Sequence, residues 1–164
     1  MWATRAWWLL HHAGHRRVSV LNGNLAAWKE RGLSLEAGEH HYAATTFEAD
    51  AVPGAFASTE EVAAAMDGKT CTLNALSQAL YEGTGDFYYE RRGHIPGSRP
   101  LYFNALLDRE HFLSADALSD ALEAQGALPD QPVITYCGGG IAATLNAFAC
   151  KLLGYEQVAV YDGS

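Results

Sequence analysis

The run Val133-Ile134-Thr135-Tyr136-Cys137-Gly138-Gly139-Gly140-Ile141-Ala142-Ala143-Thr144 reads as a short apolar strand, a cysteine at its end, a three-glycine loop and the first turn of a helix. A loop of this kind turns several backbone N–H groups towards one point, and the helix adds the positive end of its dipole there. A thiol at that point is expected to ionise easily, because helix N-termini lower a cysteine pKa below its free value of about 8.5, and the thiolate is the nucleophilic form. One glycine suffices for a strand-to-helix turn, whereas three allow the backbone to wrap a small group without interference from Cβ atoms. The alternative is a buried, inert strand cysteine followed by turn glycines.

The same loop argues against phosphoryl transfer. A cysteine loop that cradles a dianionic phosphate needs a closing cation, usually an arginine six positions on, and that position is Ala143. Backbone donors alone suit a compact adduct carried on the sulfur itself, such as a persulfide.

Comparison of the chain with itself shows a repeat. Shifted by 140 residues without a gap, Ala3-Thr4 lies over Ala143-Thr144, Gly14 over Gly154, Val18 over Val158, Val20 over Val160 and Gly23 over Gly163. The shared pattern is helix, Gly, two polar residues, Val-x-Val, then Asn-Gly or Asp-Gly, and it implies parts of two related domains. The first copy begins beyond the point where a cysteine loop would stand. The second has its loop and stops at Ser164, where the next helix is expected.

Working outward, residues 4–13 are expected to form a helix ending at Gly14, 18–21 a strand, and 25–31 a helix closed by Gly32. The stretch 36–54, without periodicity and containing Gly38 and Pro53, reads as a linker. Ser58 and Glu61 form a capping box for a helix over 59–66. There follow a strand over 69–74, a short helix over 77–81, a loop through Gly93–Gly97, and a helix over 115–125 capped by Ser114. A helix over 141–153 and a strand over 158–161 complete the pattern. Short apolar strands alternating with helices predict an α/β fold with a mostly parallel central sheet flanked by helices.

The loop Tyr136–Ala143, the turn Gly93-His94-Ile95-Pro96-Gly97-Ser98, the ending Val160-Tyr161-Asp162-Gly163-Ser164 and the opening Ala3-Thr4-Arg5-Ala6-Trp7-Trp8 together resemble tandem-domain rhodanese-like sulfurtransferases. The resemblance implies residues 1–35 as the remnant of an N-terminal rhodanese-like domain, 36–54 as a linker, and 55–164 as a catalytic domain lacking its last helix. It further implies an enzyme that moves sulfane sulfur from thiosulfate or 3-mercaptopyruvate to a thiol or cyanide acceptor. Cys137 takes the place of the persulfide-forming cysteine, and Gly138, Gly139, Gly140, Ile141 and Ala142 that of the active-site loop. The small residue after the cysteine is closer to the mercaptopyruvate-type loop. Asn74-Ala75-Leu76 replaces the family's usual Asp-Ala-Arg strand end, and Leu80 and Glu82 stand where basic residues are usual, so the customary anion grips are gone. An anionic donor still needs a counter-charge, and Arg91 and Arg92, with Arg99 behind them, are the substrate-binding candidates offered by sequence proximity. The leading segment, residues 4–31, resembles what the second domain lacks, so packing there within one chain or between two chains is a further expectation.

The 164 residues are 49% hydrophobic and 18% charged, with a net charge of −8, which argues against nucleic acid and anionic membranes as partners. Three cysteines, Cys71, Cys137 and Cys150, supply no disulfide framework and fit a reducing, cytoplasmic setting. Trp7-Trp8-Leu9-Leu10 is far shorter than the roughly 20 residues of a membrane helix. No metal site is expected: His11 and His15 have helical spacing, but Gly14 intervenes and no thiolate or carboxylate cluster accompanies them. The chemistry requires no cofactor, and a homo-oligomer is allowed but not implied. Two other classes stay open: a non-catalytic binding module, marked by an inert Cys137, and a redox-sensing thiol protein, which needs a resolving cysteine near Cys137.

Overall fold

The apolar tetrapeptides Cys71–Asn74 (β1), Val133–Tyr136 (β5) and Val158–Tyr161 (β6) are too short for helices and pair side by side, with Arg99–Pro100 (β2) on the outer side of β1. The computed structural model describes residues 1–86 and 91–163. The strand order is β2-β1-β5-β6 and every pairing in this sheet is parallel. Strands β1 and β5 are buried along their whole length, as expected of parallel strands covered on both faces. The register sets Asn74 beside Tyr136 and Tyr136 beside Tyr161. The segments that follow these strands therefore emerge level with one another, and Cys137 and Asp162 leave the sheet on adjacent strands.

Alternation along β5 sends Ile134 towards Thr59–Ala65 (α3), whose Val62 and Ala65 share its apolar cluster. Val133 and Cys137 join the larger core on the opposite face. There lies Ala143–Leu152 (α6), in which every residue from Ala143 to Cys150 is buried. Trp2–His12 (α1) packs on α6: the Trp7 ring meets Phe148 edge-on at 4.8 Å, and the fully buried Trp8 donates its indole N–H to the Ala55 carbonyl at 3.0 Å. Ala115–Glu123 (α5), capped by the Ser114 hydroxyl, covers the same face through Leu118 and Leu122. Both members of the predicted capping box at Ser58 and Glu61 are made.

Several sequence expectations shift by one or two residues: β1 starts at Cys71, the short helix is Gln78–Glu82 (α4), α5 ends at Glu123 and α6 starts at Ala143. One is corrected. Residues 18–21 form no strand, because a Val-x-Val run becomes a strand only when a neighbouring strand takes its N–H and C=O groups, and this segment pairs with none. The helix after it is present as Leu25–Glu30 (α2), capped by Asn24. The turn Phe103–Leu106 and the antiparallel pair Leu107–Asp108 (β3) and His111–Phe112 (β4) were not anticipated. Residues 36–54 contain no helix or strand and are mostly exposed, with Asp50 and Val52 returning the chain to the end of α1 by N–H bonds to Ala13 (3.1 Å) and His12 (2.7 Å). Ser164 lies outside the described residues.

Candidate active site

Cys137 is the first residue beyond β5, 6% exposed, with its side chain on the α6 face of the sheet. From there Gly138 to Ala142 form one tight connection into α6. Gly140 has φ +71°, and a Cβ built there would overlap the Asp162 carboxylate and stand 3.0 Å from Arg5 Nη1. Only glycine fits at 140, on both conformational and steric grounds. At Gly139 an added Cβ meets nothing within 4 Å, so that side of the loop is open.

The N–H groups of Gly138, Gly139, Gly140, Ile141, Ala142 and Ala143 donate to no acceptor among the described residues. The helix begins with Thr144 and Leu145, whose N–H groups bond to Ile141 (3.2 Å) and Ala142 (3.0 Å). Gly140, Ala142 and Ala143 are buried. Buried backbone donors are normally paired, so the unpaired N–H groups of Gly140, Ala142 and Ala143 beside a cysteine suit the cradling of an anionic group. The Thr135 hydroxyl fixes the cradle to its strand by donating to the Ala143 carbonyl at 3.0 Å.

The charge at this site comes from far away in sequence. Arg5 on α1 reaches Asp162, just past β6, in a two-pronged pair with Nη1–Oδ1 2.6 Å and Nη2–Oδ2 2.7 Å, and Nη1 also donates to the Gly140 carbonyl at 3.5 Å. The guanidinium lies over the Phe56 ring, 5.4 Å from its centre. Its pKa is raised above the usual arginine value, first by the hydrogen bond to Asp162, against the opposing effect of partial burial, with further contributions from the charges of Asp162 and of the Cys137 thiolate. Arg5 thus lies against the cysteine loop, through its bond to Gly140.

The turn on the other face is anchored to the residue before the cysteine. The Tyr136 hydroxyl accepts the Ile95 N–H at 3.0 Å and lies 2.8 Å from the Ser98 hydroxyl. The His94 ring stacks on Tyr81, 3.8 Å between centres, a structural contact as its place in a turn suggests. Arg91 is exposed, while Arg92 donates towards the carbonyls of Gly83 (3.3 Å) and Gly85 (3.5 Å) at the end of α4. Arg99 lies against Gly126, away from the cradle. Sequence proximity pointed to these arginines and missed Arg5, although Arg5 sits in the Ala3–Trp8 motif.

The other two thiols are core groups. Burial pushes Cys71 up to about 11 and Cys150 up to about 12. No group of His, Cys, Asp and Glu among the described residues could hold a metal. A cavity of about 600 Å³ opens at the opposite end of the strands, beside Lys69, Pro132 and Gln157. Its walls hold no cysteine, and it lies away from the Cys137 loop.

The family model for the rhodanese-like domain matches residues 58–164, which takes in the sheet, the cysteine loop and Asp162. The chain belongs to the rhodanese-like family. It is 32% identical to 3-mercaptopyruvate sulfurtransferase of Escherichia coli K12 over 99% of its own length and 59% of that protein's. It is 34% identical to "Probable 3-mercaptopyruvate sulfurtransferase" of Pseudomonas aeruginosa, covering 99% of this chain and 58% of the relative. The solved structure of SseA from Escherichia coli, described in terms of the rhodanese fold and the catalytic mechanism of 3-mercaptopyruvate sulfotransferases, superposes with a TM-score of 0.86. It is 31% identical, over 98% of this chain and 61% of that one. This rhodanese-like chain therefore spans about three fifths of the length of the relatives it matches.

Proposed function

We propose that the protein is a sulfurtransferase that carries sulfane sulfur as a persulfide on Cys137. The observation that carries this reading is the run of unpaired N–H groups from Gly138 to Ala143 beside a single cysteine, with Arg5 bonded to Gly140 of the same loop. In the first step the Cys137 thiolate attacks the outer sulfur of the donor. With thiosulfate the S–S bond breaks and sulfite leaves with the electron pair. With 3-mercaptopyruvate the C–S bond breaks, and the thiol proton ends on carbon to give pyruvate. In the second step cyanide or a thiolate takes the outer sulfur and returns the Cys137 thiolate. Splitting the transfer through a covalent intermediate requires no organic cofactor or metal, and the N–H cradle stabilises the anionic persulfide without reorganising.

Of the two donors 3-mercaptopyruvate is favoured, because the residue after the cysteine is Gly138 and the similar proteins bear that name. Arg91 and Arg92 are proposed to meet the donor carboxylate at the mouth of the site. The division into 1–35, 36–54 and 55–164 as first-domain remnant, linker and second domain is part of the same reading. It is supported by the matched helices α1 and α6 and by Gly14 and Gly154, which share φ values of +86° and +84°. Three free cysteines suit a reducing, cytoplasmic setting, and no helix among the described residues is long and apolar enough to cross a membrane.

Steady-state rates of thiocyanate formation test the proposal. Parallel double-reciprocal lines for donor and cyanide, abolished by Cys137→Ser, are expected. A folded protein that forms no thiocyanate with either donor contradicts it and favours the binding-module reading.

A further inference from the structure

We infer that Arg5 is a positioning residue of the Cys137 site, holding the cradle through Asp162 and Gly140 and setting a fixed positive charge beside the cysteine loop. This deepens the proposed function and rests on Cys137 being a reactive thiol.

The geometry supports the role in three ways. The clamp closes on a loop residue that has no room for a side chain: the Arg5–Asp162 pair occupies the space where a Cβ of Gly140 would sit. Three chain segments meet on the guanidinium, namely Phe56 beneath it, Asp162 at the end of β6 and Gly140 in the loop. A planar, five-donor fork suits such a junction, and the two-pronged contact fixes its orientation. Finally, the loop from Gly138 to Ala143 contains no basic residue, so the cradle offers only dipoles. Arg5, 18% exposed at its side chain, supplies the full charge that an anionic donor needs when it leaves water. Asp162 opposes that charge, and the pair acts as a tuned source, stronger without the aspartate and absent without the arginine.

The test compares alkylation of Cys137 by anionic iodoacetate and neutral iodoacetamide, followed by peptide mass. The ratio of the two rates reports local charge, since changes in thiol reactivity or in access of a small reagent act on both. Arg5→Met is expected to lower the iodoacetate-to-iodoacetamide ratio about fivefold, Arg5→Lys to keep it within about twofold, and Asp162→Asn to raise it. A merely structural clamp predicts no change, or the same change, for loss of either partner. Should Arg5→Met not fold, Arg5→Lys and Asp162→Asn carry the test. Ratios indifferent to charge in folded variants with a reactive Cys137 overturn this inference and leave the proposed function standing. A folded wild-type protein whose Cys137 takes up neither reagent overturns both.

Discussion

The hydroxyls of Thr4 and Thr144 lie 3.0 Å apart, and these two residues are each other's counterparts in the 140-residue repeat. The contact lies where α1 packs on α6. Arg5, one residue on from Thr4, is carried by this packing to the cysteine loop.

Each threonine hydroxyl has one proton, yet three contacts compete for the two: Thr4 to the Met1 carbonyl (2.7 Å), Thr144 to the Ile141 carbonyl (2.6 Å), and the pair itself. Thr4→Val or Thr144→Val alone is expected to cost about 1 kcal/mol of stability. The double variant should cost less than the sum, by about 0.5 kcal/mol or more, because the shared bond can be lost only once. Denaturant titration of the four proteins checks this, and strict additivity contradicts it.

Gly139 and Gly140 are neighbours with opposite tolerances. Gly139→Ala points into open space and should fold with stability unchanged within about 0.5 kcal/mol. Gly140→Ala combines φ +71° with overlap of the Asp162 carboxylate. It is expected to lose about 2 kcal/mol or more, with the Arg5–Asp162 pair displaced. Equal melting temperatures for the two variants would contradict the described loop.

The Tyr136 hydroxyl holds the 93–98 turn through Ile95 and Ser98. Tyr136→Phe leaves the Ile95 N–H without its acceptor and should cost about 1–3 kcal/mol. Faster amide exchange at Ile95 is the local sign, and unchanged exchange there would contradict the assignment.

Alkaline conditions act on the two core thiols. The folded values of Cys71 (about 11) and Cys150 (about 12) lie above the ordinary 9.0. Above pH 9 the unfolded chain therefore holds fewer thiol protons than the folded one, and stability falls as pH rises through these folded values. Tyr155, raised from 10.0 to about 12 chiefly by burial, acts in the same direction. Below pH 9 these contributions are fully present. Thermal unfolding between pH 8 and 11 should show the decline, and Cys150→Ala should reduce it. At pH 7.5 alkylation of the folded protein should mark neither Cys71 nor Cys150.

Much of the fold was legible because its signals are local. The strand at 158–161 is found at its predicted bounds, and the capping box at Ser58 needs only four residues to declare itself. Residues 18–21 carry the same Val-x-Val signal and fail, since a strand is a property of two segments, and nothing within the run says whether the other is present. The two-residue strands β2, β3 and β4 are too short for any period to show. At the site the cysteine and its glycines could be read directly. Arg5 could not, because its place beside the loop depends on α1 docking against α6, more than 130 residues away, whereas Arg91 and Arg92 are marked by the recognisable turn that follows them.

The central claim is sulfur on Cys137, and intact mass tests it most directly. The reduced protein is weighed before and after exposure to 3-mercaptopyruvate and, separately, thiosulfate, beside Cys137→Ser. The account predicts a gain of one sulfur, about 32 Da, that cyanide removes and the variant never shows. A folded wild-type protein that gains no mass from either donor, or gains it equally in Cys137→Ser, contradicts it.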